Sequence, residues 1–491
     1  MDRLTSKMAP APQRPIRVMQ FGEGNFLRAF VDYMIDIANE KADFNGSVAI
    51  VKAIPFGTLD SFHEQDCRYT VLLRGLKDGE RYEEKRVITS VSQVIDTYGE
   101  YEKYAALAKL DTLRFVVSNT TEAGIVLDET DEFASCPPKT YPGKLTKFLF
   151  ERAEHFGYAM DKGLVILPVE LIDDNGIMLK KCVKALAKKW ALGERFEQWL
   201  DEACVFTSTL VDRIVTGYPR EEAAAICESL GYEDRLLDTA EPFGLWVIES
   251  AKDISKELPL PDCGLPVIFT DNQKPYKQRK VRILNGAHTS FVPMAFQCGY
   301  DDVLSSMNDP DIAKFMYDTI HEEVIPTLSL PKADLLAFAD AVSERFGNPY
   351  IKHLLLSICL NSISKWQARC LPSLKGYVEK TGELPPHLTF SLAALISLYR
   401  GGSLQPDGSL TCMRDGKPYT LRDDERVLRF FDSHKETGSA ELAHLMLSDA
   451  QNFGEDLTKI PGLEAAVTEA LEDIAANGMQ AARDHRFAKK A

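Results

Sequence analysis

The segment Lys280–Thr289 carries three polar side chains whose types and spacing could catalyse a hydride transfer. Lys280 is followed by Asn285 five residues later and by His288 after three more. In an α-helix, which turns by about 100° per residue, these side chains lie within a sector of roughly 140°. Hydride chemistry at a carbinol carbon needs a group that takes the hydroxyl proton and dipoles that stabilise charge on the oxygen. The segment is therefore a candidate catalytic site; the alternative is an amphipathic helix with a solvated lysine and a buried histidine.

A glycine-rich turn near the N-terminus could bind a dinucleotide. It follows a predicted strand, opens a predicted helix and has glycines at Gly22 and Gly24. Glycines permit a tight turn there, and the helix N-terminus can meet a pyrophosphate. Leu27 replaces the third glycine of the usual pattern, so an ordinary strand–helix turn is the alternative.

The residue that would recognise the ribose of such a nucleotide is not evident. An Asp or Glu at the end of the second strand usually holds the ribose 2′-hydroxyl. Here that strand leads into Lys52–Phe56, and Asp60 and Glu64 are the substitutes that the sequence offers. The preference between NAD and NADP therefore stays open.

Three more polar segments of the first half are candidates. Ser118–Gly124 ends a predicted strand, where small polar groups either face a cofactor or cap the next helix. Glu170 opens a polar loop that either binds substrate hydroxyls or caps a helix. Asp212 and Arg213 lie inside an apolar run, where an unpaired charge is costly. They form a local salt bridge, or Asp212 pairs with Lys280 and controls its pKa.

A basic segment in the second half is suited to an anionic substrate. Arg345–His353 is followed by Lys365 and Arg369, and the pattern predicts one helix over Ile351–Arg369. Cations gathered near a cleft bind a carboxylate well, whereas the alternative is a solvated helix face.

The organisation of the chain predicts two domains. A length of 491 residues exceeds one ordinary core. Strand-like and helix-like segments alternate up to about residue 285, and the pattern is almost wholly helical afterwards. We therefore predict an α/β Rossmann-like domain at residues 1–284 and a mainly α-helical domain at residues 285–491. Residues 403–424 are predicted to be a surface excursion.

Composition excludes several classes of protein. The net charge of −16 and the lack of a basic stripe argue against a nucleic-acid partner. The ten cysteines are scattered without zinc-binding spacing, which is typical of reduced thiols in a cytoplasmic protein. The N-terminus has no signal-peptide pattern, and the apolar stretch Leu384–Tyr399 is shorter than the roughly 20 residues of a membrane span.

Together the motifs resemble the mannitol dehydrogenase family of polyol-specific long-chain dehydrogenases and reductases. The resemblance covers nearly the whole chain, and the segments that carry it are Gly22–Arg28, Thr121–Gly124, Val211–Ile214, Lys280–His288 and Arg345–Pro349. Longer stretches, such as Val211–Arg220, resemble the uronate-reducing branch almost residue for residue. Glu170 stands about where mannitol enzymes carry an Asn, which puts a plain polyol substrate in doubt.

The resemblance implies NADH-dependent interconversion of D-tagaturonate and D-altronate, without a metal, in hexuronate catabolism. The alternatives are fructuronate–mannonate or mannitol–fructose interconversion, use of NADP, and a non-catalytic nucleotide-binding protein. The implied partner is a small sugar acid, with no nucleic acid and no membrane. Lys280 would move the proton, Asn285 and His288 would bind the reacting oxygen, and Asp212 would support Lys280. The implied cofactor-binding residues are Phe21, Gly22, Gly24, Asn25, Phe26, Arg28, Thr120, Thr121 and Glu122. The implied substrate-binding residues are Glu170, Arg345, Lys352, His353, Lys365 and Arg369.

Overall fold

The structure is a computed structural model that describes residues 1–121 and 123–488. Its strands, in chain order, are β1 Ile16–Phe21, β2 Ser47–Lys52, β3 Tyr69–Lys77, β4 Glu80–Ile88, β5 Val91–Asp96, β6 Phe115–Ser118, β7 Val165–Pro168, β8 Val205–Phe206, β9 Ser208–Asp212, β10 Val215–Gly217, β11 Asp238–Ala240, β12 Leu245–Glu249, β13 Val267–Thr270, β14 Ser403–Leu404, β15 Leu410–Arg414 and β16 Lys417–Leu421.

The α-helices, in the same order, are α1 Asn25–Leu27, α2 Tyr33–Lys41, α3 Asp60–Glu64, α4 Tyr101–Leu107, α5 Tyr141–His155, α6 Asn175–Lys189, α7 Glu194–Glu202, α8 Ala223–Leu230, α9 Lys274–Arg279, α10 Gly286–Gln297, α11 Val303–Met307, α12 Pro310–Asp318, α13 Lys332–Phe346, α14 Leu355–Ile358, α15 Ser362–Arg369, α16 Leu371–Thr381, α17 Pro386–Tyr399, α18 Glu425–Ser433, α19 Ser439–Ser448, α20 Ala450–Phe453, α21 Leu463–Asn477 and α22 Met479–Phe487. Segments of π-helix occupy Arg28–Asp32, Lys280–Asn285 and Thr319–Val324.

The main sheet of the N-terminal part is parallel and has the strand order β5-β2-β1-β6-β7-β8. Alternate residues of its strands enter two separate apolar clusters: Val18 and Val117 lie in one, and Met19 and Val116 in the other. Because both faces are buried, the strands are nearly continuous apolar runs. Order and direction are those of the dinucleotide-binding α/β fold, whose ligand lies at the carboxyl ends near the reversal of strand order. The predicted Rossmann-like fold is confirmed.

Two smaller sheets accompany it in the same part of the chain. One has the order β10-β11-β3-β4 and the other the order β13-β12-β9. Because β9 and β12 are antiparallel, the predicted βα alternation does not extend over the whole N-terminal part. β4 ends at Ile88, and β5 begins at Val91 as a separate strand of the main sheet.

The chain forms two compact units. The first comprises Met1–Gly75 and Arg81–Gln273, and the second comprises Leu76–Glu80 and Lys274–Ala491. The domain boundary at residue 285 stays a prediction, but the compact units place the whole segment Lys280–Thr289 in the second unit.

The second unit is mainly helical, as predicted. Helix α17 is buried along almost its whole length and packs against α10 and α21. Its uniform apolarity therefore reflects a position in the core. In the described part of the chain, no helix is long and apolar enough to cross a membrane.

One prediction about the second unit is wrong. The single helix predicted over Ile351–Arg369 is broken, because Ile351–Leu354 is not helical and Asn361, with a φ of 53°, separates α14 from α15. Left-handed backbone cannot continue an α-helix. Residues 403–424, predicted to be a surface excursion, contain the antiparallel sheet β14-β15-β16.

Candidate active site

The glycine-rich turn of the first unit joins β1 to a continuous helical segment that begins at Asn25. Gly22 has a φ of 119°, and a Cβ there would lie 3.2 Å from the carbonyl oxygen of Asn119 and 3.3 Å from Leu27. Gly22 is therefore needed for backbone conformation and for close approach to the end of β6. A Cβ on Gly24 would meet nothing within 4 Å. The backbone there is open to a ligand, so the turn fits a nucleotide pyrophosphate at the helix N-terminus.

The side chains around this turn mostly support it from within the protein. Phe21 is fully buried and packs edge-on against Tyr141, with ring centroids 4.9 Å apart. The buried Arg28 guanidinium donates hydrogen bonds to the carbonyl oxygen of Leu236 and to Oδ1 of Asn25. Arg28 thus holds Asn25 in place, and the nucleotide contacts proposed for these residues stay predictions.

Glu170 binds the loop that follows β6. Its carboxylate accepts hydrogen bonds from Ser118 Oγ at 3.1 Å, from the Thr120 amide at 3.0 Å and from Thr120 Oγ1 at 2.9 Å. The three residues meet because β6 and β7 are neighbours and end at the same edge. Burial raises the pKa of Glu170. In the same loop Thr121 has a φ of 71°, which is rare for a β-branched residue. Glu122 lies outside the described residues.

Asp212 and Arg213 have different environments at the end of β9. The Arg213 guanidinium donates hydrogen bonds to the carbonyl oxygens of Ala29, Pro242 and Phe243. Main-chain carbonyl oxygens thus accept the hydrogen bonds of the buried Arg213 guanidinium. Asp212 is buried in the first unit, and its support of Lys280 stays a prediction.

The candidate catalytic residues of the second unit lie on a helix with a local π-turn. Helix α9 leads into the π-segment Lys280–Asn285, and α10 continues from Gly286. Because a π-helix bonds residue i to i+5, Asn285 lies about one turn after Lys280, and the α-helical angle assumed from the sequence does not apply between them. Such π-turns occur often at functional sites. Thr289 Oγ1 donates to the carbonyl oxygen of Asn285 at 2.9 Å.

His288 has a buried nitrogen available to a ligand. Its ring stacks on Phe346, with centroids 4.1 Å apart, and lies edge-on to His353 at 5.1 Å. Among the described residues, its Nε2 has no hydrogen-bond partner. A buried polar atom without a partner is costly, so Nε2 is suited to a substrate oxygen.

Most of the predicted cations surround His288. Burial lowers its pKa well below the usual histidine value, and the charges of His353, Arg345, Arg369 and Lys365 lower it further. The imidazole is therefore neutral at physiological pH.

The two cations of helix α15 have neutral hydrogen-bond partners. Lys365 Nζ donates to the carbonyl oxygen of Ile358 at 3.0 Å, and Arg369 Nη1 donates to Thr289 Oγ1 at 3.2 Å. Burial lowers the pKa of both groups. Lys352, by contrast, is exposed.

Sequence reasoning missed the structural role of Phe346. Phe346 lies inside the Arg345–Asn348 motif, and its aromatic side chain was the one sign in the sequence of a packing role. Its contact with His288 depends on how α13 packs on the π-segment. Within the described residues, no group of three or more His, Cys, Asp or Glu side chains is arranged to hold a metal ion.

Two family models match this chain. The mannitol dehydrogenase Rossmann domain matches residues 16–262, and the mannitol dehydrogenase C-terminal domain matches residues 272–475. The chain therefore belongs to the mannitol dehydrogenase family. Among its relatives, the altronate oxidoreductases of Yersinia enterocolitica and Escherichia coli (strain K12) are each 47% identical to it over 489 residues, which covers 98% of this chain and 99% of theirs.

Solved structures share the fold at lower identity. A substrate-free D-sorbitol dehydrogenase has a TM-score of 0.77 at 21% identity, covering 98% of this chain and 99% of that one. Pseudomonas fluorescens mannitol 2-dehydrogenase, in a ternary complex with NAD and D-mannitol, has a TM-score of 0.67 at 22% identity, covering 99% of both chains.

Proposed function

We propose that this protein is a cytoplasmic tagaturonate reductase, which reversibly reduces D-tagaturonate to D-altronate with NADH in hexuronate catabolism. The observation that carries the proposal is the 47% identity to altronate oxidoreductases over 98% of the chain. The open backbone at Gly24 supports a dinucleotide, and the cations around His288 support an anionic substrate.

The residues of the second unit handle the proton and the reacting oxygen. Bound NADH supplies the hydride that reduces the ketone carbon. Lys280, as an ammonium, donates a proton to the carbonyl oxygen, and as an amine it takes the hydroxyl proton in the reverse direction. Asn285 and the Nε2–H tautomer of His288 donate hydrogen bonds to the same oxygen. Losing one such donor usually costs about 2.7–4 kcal/mol in the transition state.

The neutrality of His288 serves this role. A neutral imidazole donates a hydrogen bond without adding another positive charge next to Lys365 and Arg369. These two cations can then attract the substrate carboxylate, since charge-assisted hydrogen bonds to carboxylates are strong. Arg345 and His353 add to the positive potential, and Glu170 acts on the loop after β6.

Substrate profiling tests the proposal. Initial rates with NADH and NADPH should be measured on tagaturonate, fructuronate and fructose. We expect the largest kcat/KM with tagaturonate and NADH. A larger value with fructuronate or fructose assigns the protein to a sister activity of the family. Nucleotide binding without turnover of any of the three contradicts an enzymatic role.

A further inference from the structure

The ribose-recognition residue expected at the end of β2 is replaced by a buried lysine. Lys52 ends β2, and its side chain is only 3% exposed. Its Cα partner on the neighbouring strand is Asp96, the last residue of β5. Neighbouring strands lie about 4.8 Å apart. The carboxylate of Asp96 is therefore one strand away from the end of β2, where the ribose-binding acidic residue usually lies.

Lys52 has no capacity left for a nucleotide phosphate. An ammonium has three N–H donors. Nζ contacts Asp96 Oδ2 at 3.0 Å, the carbonyl oxygen of Gly57 at 3.0 Å and that of Phe56 at 3.4 Å. Its charge is paired and its donors are used, so it holds Asp96 and the following loop in place.

Asp96 keeps both its charge and some access to solvent. Its side chain is 32% exposed, and Oδ1 accepts a hydrogen bond from the Tyr98 amide at 3.0 Å. Burial opposes ionisation, but the hydrogen bonds from Lys52 and Tyr98 outweigh it and lower the pKa of Asp96. A carboxylate accepts about four hydrogen bonds, so acceptor sites remain for a ligand hydroxyl.

A second carboxyl group acts electrostatically on this pair. Glu23, in the glycine-rich turn, lies within electrostatic range of Lys52 and Asp96. A 2′-phosphate at Asp96 would meet a carboxylate and an ammonium that is already paired.

We propose that Asp96 binds the adenosine ribose 2′-hydroxyl of NADH and excludes the 2′-phosphate of NADPH, with Lys52 as its positioning residue. This inference rests on the proposed NADH-dependent function. It assigns the specificity to β5, whereas the sequence offered Asp60 and Glu64.

Equilibrium binding of three nucleotides tests the assignment without turnover. The Kd of NADH, NADPH and 2′-deoxy-NADH should be measured by nucleotide fluorescence for the wild-type protein and for Asp96→Asn. We expect the wild-type protein to bind NADH at least tenfold more tightly than the other two, as a hydrogen bond to a charged group implies. Asp96→Asn should raise the Kd of NADH about tenfold and leave the Kd of 2′-deoxy-NADH unchanged. The ratio of the NADPH and NADH Kd values should therefore become smaller.

Asp60→Asn is the matched control, because Asp60 lies in the first turn of α3, near the same strand in sequence. It should leave all three Kd values unchanged. If Asp96→Asn fails to fold, Asp96→Glu keeps the charge and should still reject NADPH.

The inference is overturned if the wild-type protein binds 2′-deoxy-NADH as tightly as NADH. It is also overturned if Asp60→Asn, rather than Asp96→Asn, removes the preference for NADH over NADPH. If the wild-type protein binds none of the nucleotides, the proposed function itself fails.

Discussion

Replacing Lys365 by Met should weaken the uronate selectively. The Nζ of Lys365 is held at 3.0 Å from a neutral carbonyl oxygen, and the charge of Arg369 beside it opposes its protonation. In the described part of the chain, neither cation has a carboxylate within ion-pairing distance, and Asp423 acts on Lys365 only from farther away, so a substrate carboxylate could pair with them directly. A hydrogen bond to a charged group contributes about 1.5–3 kcal/mol, so kcat/KM for tagaturonate should fall about 10- to 150-fold.

The loss should appear mainly in KM. The carboxylate is remote from the carbon that accepts the hydride, so its binding stabilises ground state and transition state alike. An uncharged ketose, D-fructose, should be affected no more than about twofold, because it offers no carboxylate to Lys365. Lys332→Met is the comparison variant, since Lys332 is an exposed lysine at the start of α13 and is not a predicted binding residue; it should change kcat/KM for neither substrate.

Steady-state rates of NADH oxidation decide the matter. They should be measured above the usual pKa of histidine, because removing the Lys365 charge also relaxes the depression of the His288 pKa. An equal fall in kcat/KM for tagaturonate and fructose would mean that Lys365 acts in the chemical step or in folding and does not bind a carboxylate. No loss on tagaturonate would refute the reasoning.

Three further perturbations separate folding from function. Gly24→Ala should keep the thermal stability and weaken NADH binding. Gly22→Ala should lower the Tm as well, because Gly22, unlike Gly24, combines a positive φ with close contacts. Unchanged NADH binding in Gly24→Ala would count against a nucleotide at this turn. Lys280→Ala should abolish turnover while NADH still binds, and near-normal turnover would remove Lys280 from its role. Burial raises the pKa of Asp32 to about 7. Its unfolded value is near 3.9, so the stability it contributes is present below about pH 4 and is lost as pH rises to about 7. In Asp32→Asn this loss should disappear from urea unfolding curves, and an unchanged pH dependence would contradict the shift.

The amino-acid sequence alone determined the local features of this protein. The strand predicted before Gly22 is β1, because a mainly apolar run bounded by Pro15 and Gly22 leaves little alternative. The alternation of strand-like and helix-like segments predicted the α/β domain. The Lys280, Gly22 and Arg345 motifs were read correctly as those of one dehydrogenase family, since short motifs keep residue types and spacing together.

The sequence could not predict which residues far apart along the chain become neighbours in the fold. In the sequence, Lys52 stands where an acidic residue for the ribose was expected. Only the register of β2 and β5 shows that Asp96 lies beside Lys52. For Glu170 the sequence left substrate binding and helix capping open; the adjacency of β6 and β7 adds hydrogen bonds to Thr120, and the substrate contact stays a prediction. Strand order and register are long-range properties, and no local pattern encodes which strands become neighbours.

The chemistry of the catalytic segment divides in the same way. Residue types and spacing made Lys280, Asn285 and His288 catalytic candidates, and the family resemblance implied their roles. The tertiary structure alone decided that a π-turn relates the first two and that His288 is neutral. A pKa depends on burial and on charges from other elements, here Arg345 on α13 and both Lys365 and Arg369 on α15, and these meet only when the helices pack.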